Sequence, residues 1–286
     1  MKMLALSLGL TAALIWAVHD LLARKLSQGA ALLPIILVVL GAGSVALTGP
    51  AMVWGDGAGL SGGAVRLSLA AGLAVALAIG TLYRAFSIAP ARIVSPIIGS
   101  YPILSLALAA AQGRGVTAWD WMSVVAVVLG IAVVSMTAPD GEAAAKAPVG
   151  PAMGWSAPSA CGFAATFALG QEAARQGSEL PTILITRMMA FVVIGGLFVF
   201  YRGRFAGLRG NWRPICAMGA MDALALGLVT ASGNLPLSEY ASVASSLFGV
   251  GTILLASIFL GEKLRAVQWG GVALVFAGIG FLSAQG

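Results

Sequence analysis

Long, uninterrupted apolar runs constrain what this 286-residue chain can fold into more than any other feature of its sequence. Runs such as GLAVALAIG and VVAVVLGIAVVS show no alternation of polar and apolar residues. In a bilayer every backbone N–H and C=O must be hydrogen-bonded within the protein, so spanning segments are helices or strands of a closed barrel. Barrel strands alternate in polarity, whereas continuous apolar runs are typical of helices. The sequence therefore predicts an all-α polytopic membrane protein.

The composition excludes an ordinary soluble domain, because 59% of the residues are hydrophobic and only 9% are charged. Soluble domains carry about 25% charged residues. The basic residues behind the net charge of +6 lie between the apolar runs, so we expect contact with the lipid bilayer and no nucleic-acid partner. Two isolated cysteines and a single histidine predict neither a disulfide framework nor a metal site, and no cofactor is expected.

Ten segments are long enough to cross a membrane, which takes about 20 helical residues. They cover residues 3–24, 31–53, 66–86, 91–111, 119–137, 152–173, 180–201, 214–236, 241–260 and 267–284. The first is interpreted as a span and not as a signal peptide, because nine more follow and no convincing cleavage site is present. The polar stretch 138–151 is predicted to link two five-helix halves, residues 1–137 and 152–286.

The two halves resemble each other. A shift of 147 residues pairs Trp16 with Phe163, Gly72 with Gly219, Ala76 with Ala223 and Gly80 with Gly227. A shift of 150 residues pairs Ala91 with Ala241, Ser95 with Ser245, Trp119 with Trp269 and Gly130 with Gly280. Because five is an odd number, the second half must cross the membrane inverted relative to the first. Inverted repeats around a site near the membrane midplane are typical of secondary transporters.

The ends of the halves carry a family pattern, a small-residue helix followed by a Gly-Glu-type connection and a Gly-rich closing helix. It is found in ARIVSPIIGSYPILSLALAAAQGRGVTAWDWMSVVAVVLGIAVVS and in ASVASSLFGVGTILLASIFLGEKLRAVQWGGVALVFAGIGFLS. The whole chain resembles the EamA branch of the drug/metabolite transporter superfamily, although Gln112 and Gly113 replace the Glu262 and Lys263 of the second half. The resemblance implies a carrier of small metabolites such as amino acids, with a central cavity lined by its fourth and ninth helices.

Ionisable groups inside spans are costly and usually face a cavity or a partner. In the first span, Trp16 and His19 lie on one face, and Asp20 follows one residue later. One interpretation is a cavity wall, on which the indole stacks against solute and His19 or Asp20 binds an ammonium group or a proton. The alternative is an Asp20–Arg24 ion pair near the surface, with Trp16 in the lipid interface.

Two further groups lie deep in the second half. Arg187, in ITRMMAF, resembles an arginine of the family's second helix, and Asp222 lies in the eighth span. They are interpreted either as an ion pair between neighbouring helices or as a site in which the arginine binds a carboxylate.

The fourth and ninth spans supply the remaining candidates. Pro96 and Pro102 loosen the fourth helix and free backbone carbonyls, which are tolerated at membrane depth where they line a cavity. The alternative is a gap-filling packing seam. The predicted solute-binding residues, beyond those of the first span, are Tyr83, Ser95, Tyr101, Phe163, Ser245 and Phe248.

The loop charges favour one orientation. Loops after odd-numbered spans hold Arg24, Lys25, Arg84, Arg92, Lys146, Arg202, Arg204, Arg209, Arg213, Lys263 and Arg265, whereas the other side holds Lys2, Arg66, Arg114 and Arg175. The positive-inside rule then places both termini outside, although the resemblance implies cytoplasmic termini.

The leading hypothesis is a secondary carrier in the cytoplasmic (inner) membrane, working by alternating access as a monomer or homodimer, with protons as a candidate coupling ion. The sequence has no G-x-x-x-x-G-K-[ST] motif that would bind ATP. It also lacks the clustered carboxylates and histidines of an enzyme site, so no catalytic residue is expected. The alternative is a non-transporting membrane scaffold or sensor.

Overall fold

The computed structural model describes residues 2–26, 32–89, 91–136, 149–205, 208, 210–261 and 264–284. Within these ranges the chain forms helices connected by short turns, without strands. The helices are α1 (Lys2–Leu26), α2 (Leu32–Trp54), α3 (Gly62–Ile88), α4 (Ala91–Ile98), α5 (Tyr101–Ala111), α6 (Ala118–Met136), α7 (Val149–Arg175), α8 (Glu179–Phe200), α9 (Trp212–Ala231), α10 (Glu239–Ser245), α11 (Phe248–Leu260) and α12 (Ala266–Ala284). A 3-10 turn, Ser232–Asn234, follows α9.

Ten spans result, because α4 with α5 and α10 with α11 each form one span that is broken in the middle. Nine of the spans in the described ranges are long and apolar enough to cross a membrane. The tenth, α7, has 27 residues but carries Gln171, Glu172 and Arg175 near its end. The prediction of ten membrane helices is confirmed. Most of the predicted linker 138–151 lies outside the described residues.

The two breaks have different local causes. In the first, Pro96 and Pro102 lack N–H groups, and Gly99 and Ser100 form a turn between the helices. In the second there is no proline, but the hydroxyls of Ser245 and Ser246 donate to the carbonyls of Ser242 and Val243. Such bonds compete with the helix ladder and often bend helices. The sequence signals the first break clearly and the second only through its serine pair.

The packing has the two-fold relation expected of inverted repeats. The main contacts between the halves occur in exchanged pairs: α3 packs on α7 as α9 packs on α1, and α2 packs on α9 as α8 packs on α3. The broken span α10–α11 packs on α1, as α4–α5 packs on α7. The pairs α2–α8 and α6–α12 cross the symmetry axis. The predicted architecture of two inverted five-helix repeats is confirmed.

Glycine contacts fix the repeat register for the second and third helices of each half. A Cβ on Gly219 would meet the carbonyl of Val39 and the Cβ of Ala42, and a Cβ on Gly72 would meet the carbonyl of Thr186 and the Cβ of Met189. Gly72 and Gly219, Val39 and Thr186, and Ala42 and Met189 are each 147 residues apart, which is the shift that the sequence predicted for the two glycines. In lipid such small residues let helices approach closely. A Cβ on Gly80 or on Gly249, by contrast, would meet open space.

The register of the closing helices differs from the sequence alignment. Gly130 packs against Gly271 and Val275, and Gly278 packs in the same way against Ser123 and Val127. These contacts correspond at a separation of 148 residues, so the predicted shift of 150 is wrong for α6 and α12. Glycine and valine recur so often in both helices that matches at other shifts arise by chance. Only the facing contacts distinguish the true register.

The glycines that the alignment paired should therefore respond differently to substitution. Gly130→Leu would force α6 away from α12, because the Gly271 carbonyl leaves no space for a side chain. Overpacking of this kind costs about 1–3 kcal/mol. Gly280→Leu is the matched control, since a Cβ at Gly280 meets nothing within 4 Å. We expect the first variant, and not the second, to lose thermal stability in detergent. Equal stability of the two variants would contradict the α6–α12 packing.

Candidate functional site

A chain of polar contacts joins three helices in the middle of the membrane. Arg187 on α8 donates from Nη1 to Oδ2 of Asp222 on α9, at 2.6 Å. The indole N–H of Trp16 on α1 donates to the other carboxylate oxygen of Asp222, at 2.8 Å. The Arg187 side chain is 1% exposed, whereas that of Asp222 is 23% exposed. Asp222 is therefore neutralised from its buried side and accessible from the other.

The guanidinium of Arg187 lies in a space that is open because Gly43 has no side chain. Its Nη2 donates to the carbonyl of Val39 at 3.2 Å, and a Cβ on Gly43 would overlap the guanidinium. Arg187 Nε is buried without a partner among the described residues. An unpaired charge at this depth would be costly, so the carboxylate of Asp222 is the necessary counterion. The ion-pair interpretation of Arg187 and Asp222 agrees with this geometry.

His19 lies one turn beyond Trp16 and contacts Asp20. His19 Nδ1 is 3.0 Å from Asp20 Oδ1. A carboxylate only accepts hydrogen bonds, so Nδ1 carries the proton, and Nε2 of a neutral ring is an acceptor. Nε2 is buried without a partner in the described ranges. The alternative that placed Trp16 in the lipid interface does not hold, because its indole N–H donates a hydrogen bond to Asp222 inside the protein. The predicted Asp20–Arg24 ion pair involves the side chain of Arg24, which lies outside the described residues.

Aromatic rings form the opposite wall. Phe167 on α7 contacts both Trp16 and Tyr101, with ring centroids 5.9 and 5.5 Å apart. Tyr101 also contacts Phe163 at 6.2 Å, and Phe248 on α11 lies edge-on to Trp16 at 6.3 Å. The Tyr101 hydroxyl shares a hydrogen bond of 2.9 Å with Ser245. The cluster therefore brings together five helical segments from both halves.

All of these side chains lie near mid-depth. Trp16 is 14 residues into α1, about 21 Å along a helix of 25 residues, and Asp222 is ten residues into α9. Tyr101 and Phe248 begin the second parts of the broken spans. The helix breaks therefore occur at the level of the aromatic cluster.

The repeat relation shows that the two walls differ in chemistry. At the separation of 147 residues, His19 corresponds to Thr166, Asp20 to Phe167 and Asp222 to Val75. Each of these charged or imidazole side chains therefore has an uncharged counterpart in the other half. The site has a polar side and an apolar side, although the helices that hold it are related by symmetry.

Burial also differs between equivalent segments. We call the membrane side with Lys2 and Ala284 the terminal side, and the side with Leu26 and Val149 the linker side. On the terminal side all seven residues of α10 are buried. On the linker side four residues of its counterpart α4 are half-buried, namely Ile93, Ser95, Pro96 and Ile97. The segment α10 on the terminal side is therefore buried more completely than α4 on the linker side.

The predicted residues divide into three groups. The structure brings Trp16, Tyr101, Phe163, Ser245, Phe248 and Asp222 into one cluster, with Arg187 behind it and His19 and Asp20 one turn away. Ser95 is half-buried one turn before the first break. The side chain of Tyr83 lies outside the described residues.

The sequence reasoning missed Phe167 and Gly43. Phe167 follows Phe163 by four residues, so both lie on one helix face, and this spacing was the available signal. Gly43 carried no signal, because its importance comes from an arginine 144 positions away in the sequence.

The chain is similar to a known protein family and to solved structures. The model of the EamA-like transporter family matches the chain twice, over residues 3–136 and 152–284. A solved structure described only as "Crystal structure of protein" is similar over 99% of this chain and 99% of its own, with a TM-score of 0.80 and 15% sequence identity. That likeness concerns the fold alone. No curated protein matches the sequence.

Substitution of Gly43 should disturb the Arg187–Asp222 ion pair although both charged residues are retained. A methyl group in Gly43→Ala would displace the Arg187 guanidinium and leave Asp222 unpaired. Breaking a buried pair costs about 3–5 kcal/mol. Gly49→Ala in the same helix is the matched control, because a Cβ there meets nothing within 4 Å. We expect a large loss of thermal stability only in Gly43→Ala, and unchanged stability there would show that the pair is not held by this niche.

Proposed function

The chain belongs to the EamA-like transporter family and is therefore a multi-pass membrane transporter; on that premise we propose that it is a secondary carrier. It moves amino acids or related small solutes across the cytoplasmic membrane by alternating access. The observation that carries this proposal is the mid-depth cluster to which both inverted halves contribute. A site at the interface of inverted repeats is reached from either side when one half rocks against the other.

The two walls support an amphipathic solute. On the polar side, the accessible face of Asp222 and the Nε2 of His19 both accept hydrogen bonds, as an ammonium group requires. On the other side, Phe163, Phe167 and Phe248 offer apolar surface to a hydrocarbon side chain. Trp16 joins the two, because its ring face attracts cations while its N–H is bound to Asp222.

Unequal burial of the broken spans supports alternating access. In a carrier with two related halves, the states open to opposite sides exchange the conformations of the halves. The buried α10 and the looser α4 are equivalent segments, and their difference is what a state closed on the terminal side requires. In the opposite state, α4 would be buried and α10 exposed.

The loop charges support an orientation with the linker side in the cytoplasm. In that orientation the more completely buried segment, α10, lies on the outer side. A reporter that is active only in the cytoplasm, fused to the C-terminus, tests this orientation; activity of the fusion would reverse it.

Transport by this site should depend on Trp16. In proteoliposomes we expect counterflow of labelled amino acids, which needs a carrier but no imposed gradient. Trp16→Ala removes the stacking surface and the hydrogen bond to Asp222, and it should lower the counterflow rate roughly tenfold at subsaturating solute. Trp155→Ala is the matched control, because Trp155 is 42% exposed on the outer surface of α7.

Two results would contradict the proposal. Equal effects of the two tryptophan substitutions would show that the cluster does not bind the solute. Absence of counterflow for every amino acid and amine in a broad panel, in vesicles whose protein is folded, would remove the carrier assignment for these solutes.

A further inference from the structure

A second polar cluster lies at the terminal side, away from the mid-depth site. Arg114, in the turn after α5, donates from Nη1 to Glu239 Oε2 at 2.7 Å and to the hydroxyl of Ser238 at 3.0 Å. Glu239 begins α10, and its side chain is 3% exposed. Arg114 belongs to the first half and Glu239 to the second, so this ion pair joins the two repeats.

The same end has another bond between the halves. The Tyr240 hydroxyl donates to Oδ1 of Asp120, at the start of α6. The other oxygen of Asp120 accepts from the backbone N–H of Thr117 at 2.7 Å, so the carboxylate is held in place by the residue that precedes α6. Two consecutive residues of α10 are therefore tied to the first half.

Within the second half, one side chain organises the turn before α10. The Gln171 amide group lies within hydrogen-bond distance of Ser238 O at 2.9 Å, Ser232 Oγ at 3.1 Å and Ser242 Oγ at 3.3 Å. Arg175 also donates to the Ser238 hydroxyl, at 2.7 Å. The turn before α10 is thus fixed to its own half. The bonds that join α10 to the first half are those of Glu239 with Arg114 and of Tyr240 with Asp120.

The ion pair is incompletely satisfied. Glu239 Oε1 and the Ser105 hydroxyl are buried without partners among the described residues, and both residues line one small cleft that has room for about one water molecule. Removing charges from water costs several kcal/mol per ion, and an unmade hydrogen bond adds to that cost. Hydration on opening would recover this energy. These costs offset part of the stability that the ion pair gives to the closed arrangement.

We propose that the Arg114–Glu239 ion pair is the latch that closes the terminal side of the transport pathway, and that its separation opens this side to solute. The inference rests on the proposed alternating access of this carrier. The pair is suited to the role because it crosses between the halves, lies on the side where α10 is fully buried and leaves one buried oxygen of Glu239 unsatisfied. The mid-depth pair Arg187–Asp222 has a different position, since it joins neighbouring helices of the second half only.

Cysteine accessibility tests the latch without requiring transport. In a background without Cys161 and Cys216, Ser105→Cys places a thiol in the cleft with little change of volume. The probe is a charged, water-soluble thiol reagent applied to the purified full-length protein. Arg114→Gln and Glu239→Gln should each raise the labelling rate at least about tenfold, because each removes one partner of a buried pair.

Glu172→Gln is the matched control. Glu172 also forms an ion pair at 2.7 Å on the terminal side, but its partner Arg175 lies three residues away on the same helix. Labelling should therefore stay at the background rate in this variant. A monodisperse elution profile selects folded protein, and where one glutamine variant does not fold, the other decides.

The outcomes separate the latch from the carrier proposal. Faster labelling in Arg114→Gln or Glu239→Gln, with an unchanged rate in Glu172→Gln, supports the latch even if no solute is transported. An unchanged rate in both variants, or an equal rise in Glu172→Gln, overturns the latch and leaves amino-acid counterflow to decide the carrier proposal.

Discussion

The absence of hydrogen-bond partners in lipid is the constraint on which the rest of this structure depends. It forces the chain into helices, and it confines helix breaks and polar side chains to places where the protein itself supplies partners. The breaks after Ile98 and after Ser245 meet this condition in the interior, beside the aromatic cluster. Arg187 meets it through Asp222 and the carbonyl of Val39. The same constraint thus concentrates the irregular and polar parts of the chain at the centre of the protein, where we propose the solute site.

In this protein the helix packing is related by symmetry, but the side chains at the centre of the two halves differ. The main contacts between the halves occur in exchanged pairs, even to the atoms that approach Gly72 and Gly219. The side chains at the centre do not correspond, because Asp222 is charged whereas Val75, the equivalent residue of the first half, is apolar. A symmetric scaffold gives the two end states similar energies, and an asymmetric site gives the solute one preferred polarity. The family assignment establishes a transporter, and this asymmetry is what supports an amphipathic cargo.

Much of the candidate site was predictable, but as single residues and not as an arrangement. Trp16, His19 and Asp222 stand out because polar or ionisable groups are rare in spans. The pairing of Asp222 with both Arg187 and Trp16 was not predictable, since it depends on the rotation of three helices about their axes. The burial of Glu239 beside Arg114 was not predictable either, since it follows from how α10 docks between the halves.

The sequence by itself determined that the chain is helical, that it crosses the membrane ten times and that it consists of two inverted halves. These properties follow from the length and order of apolar runs, which are local. Only the tertiary structure decided that α6 and α12 correspond at 148 residues, that Gly43 makes room for Arg187 and that α10 is buried more completely than α4. Those properties depend on which helix faces meet, and residues as alike as glycine, alanine and valine encode this in sequence only weakly.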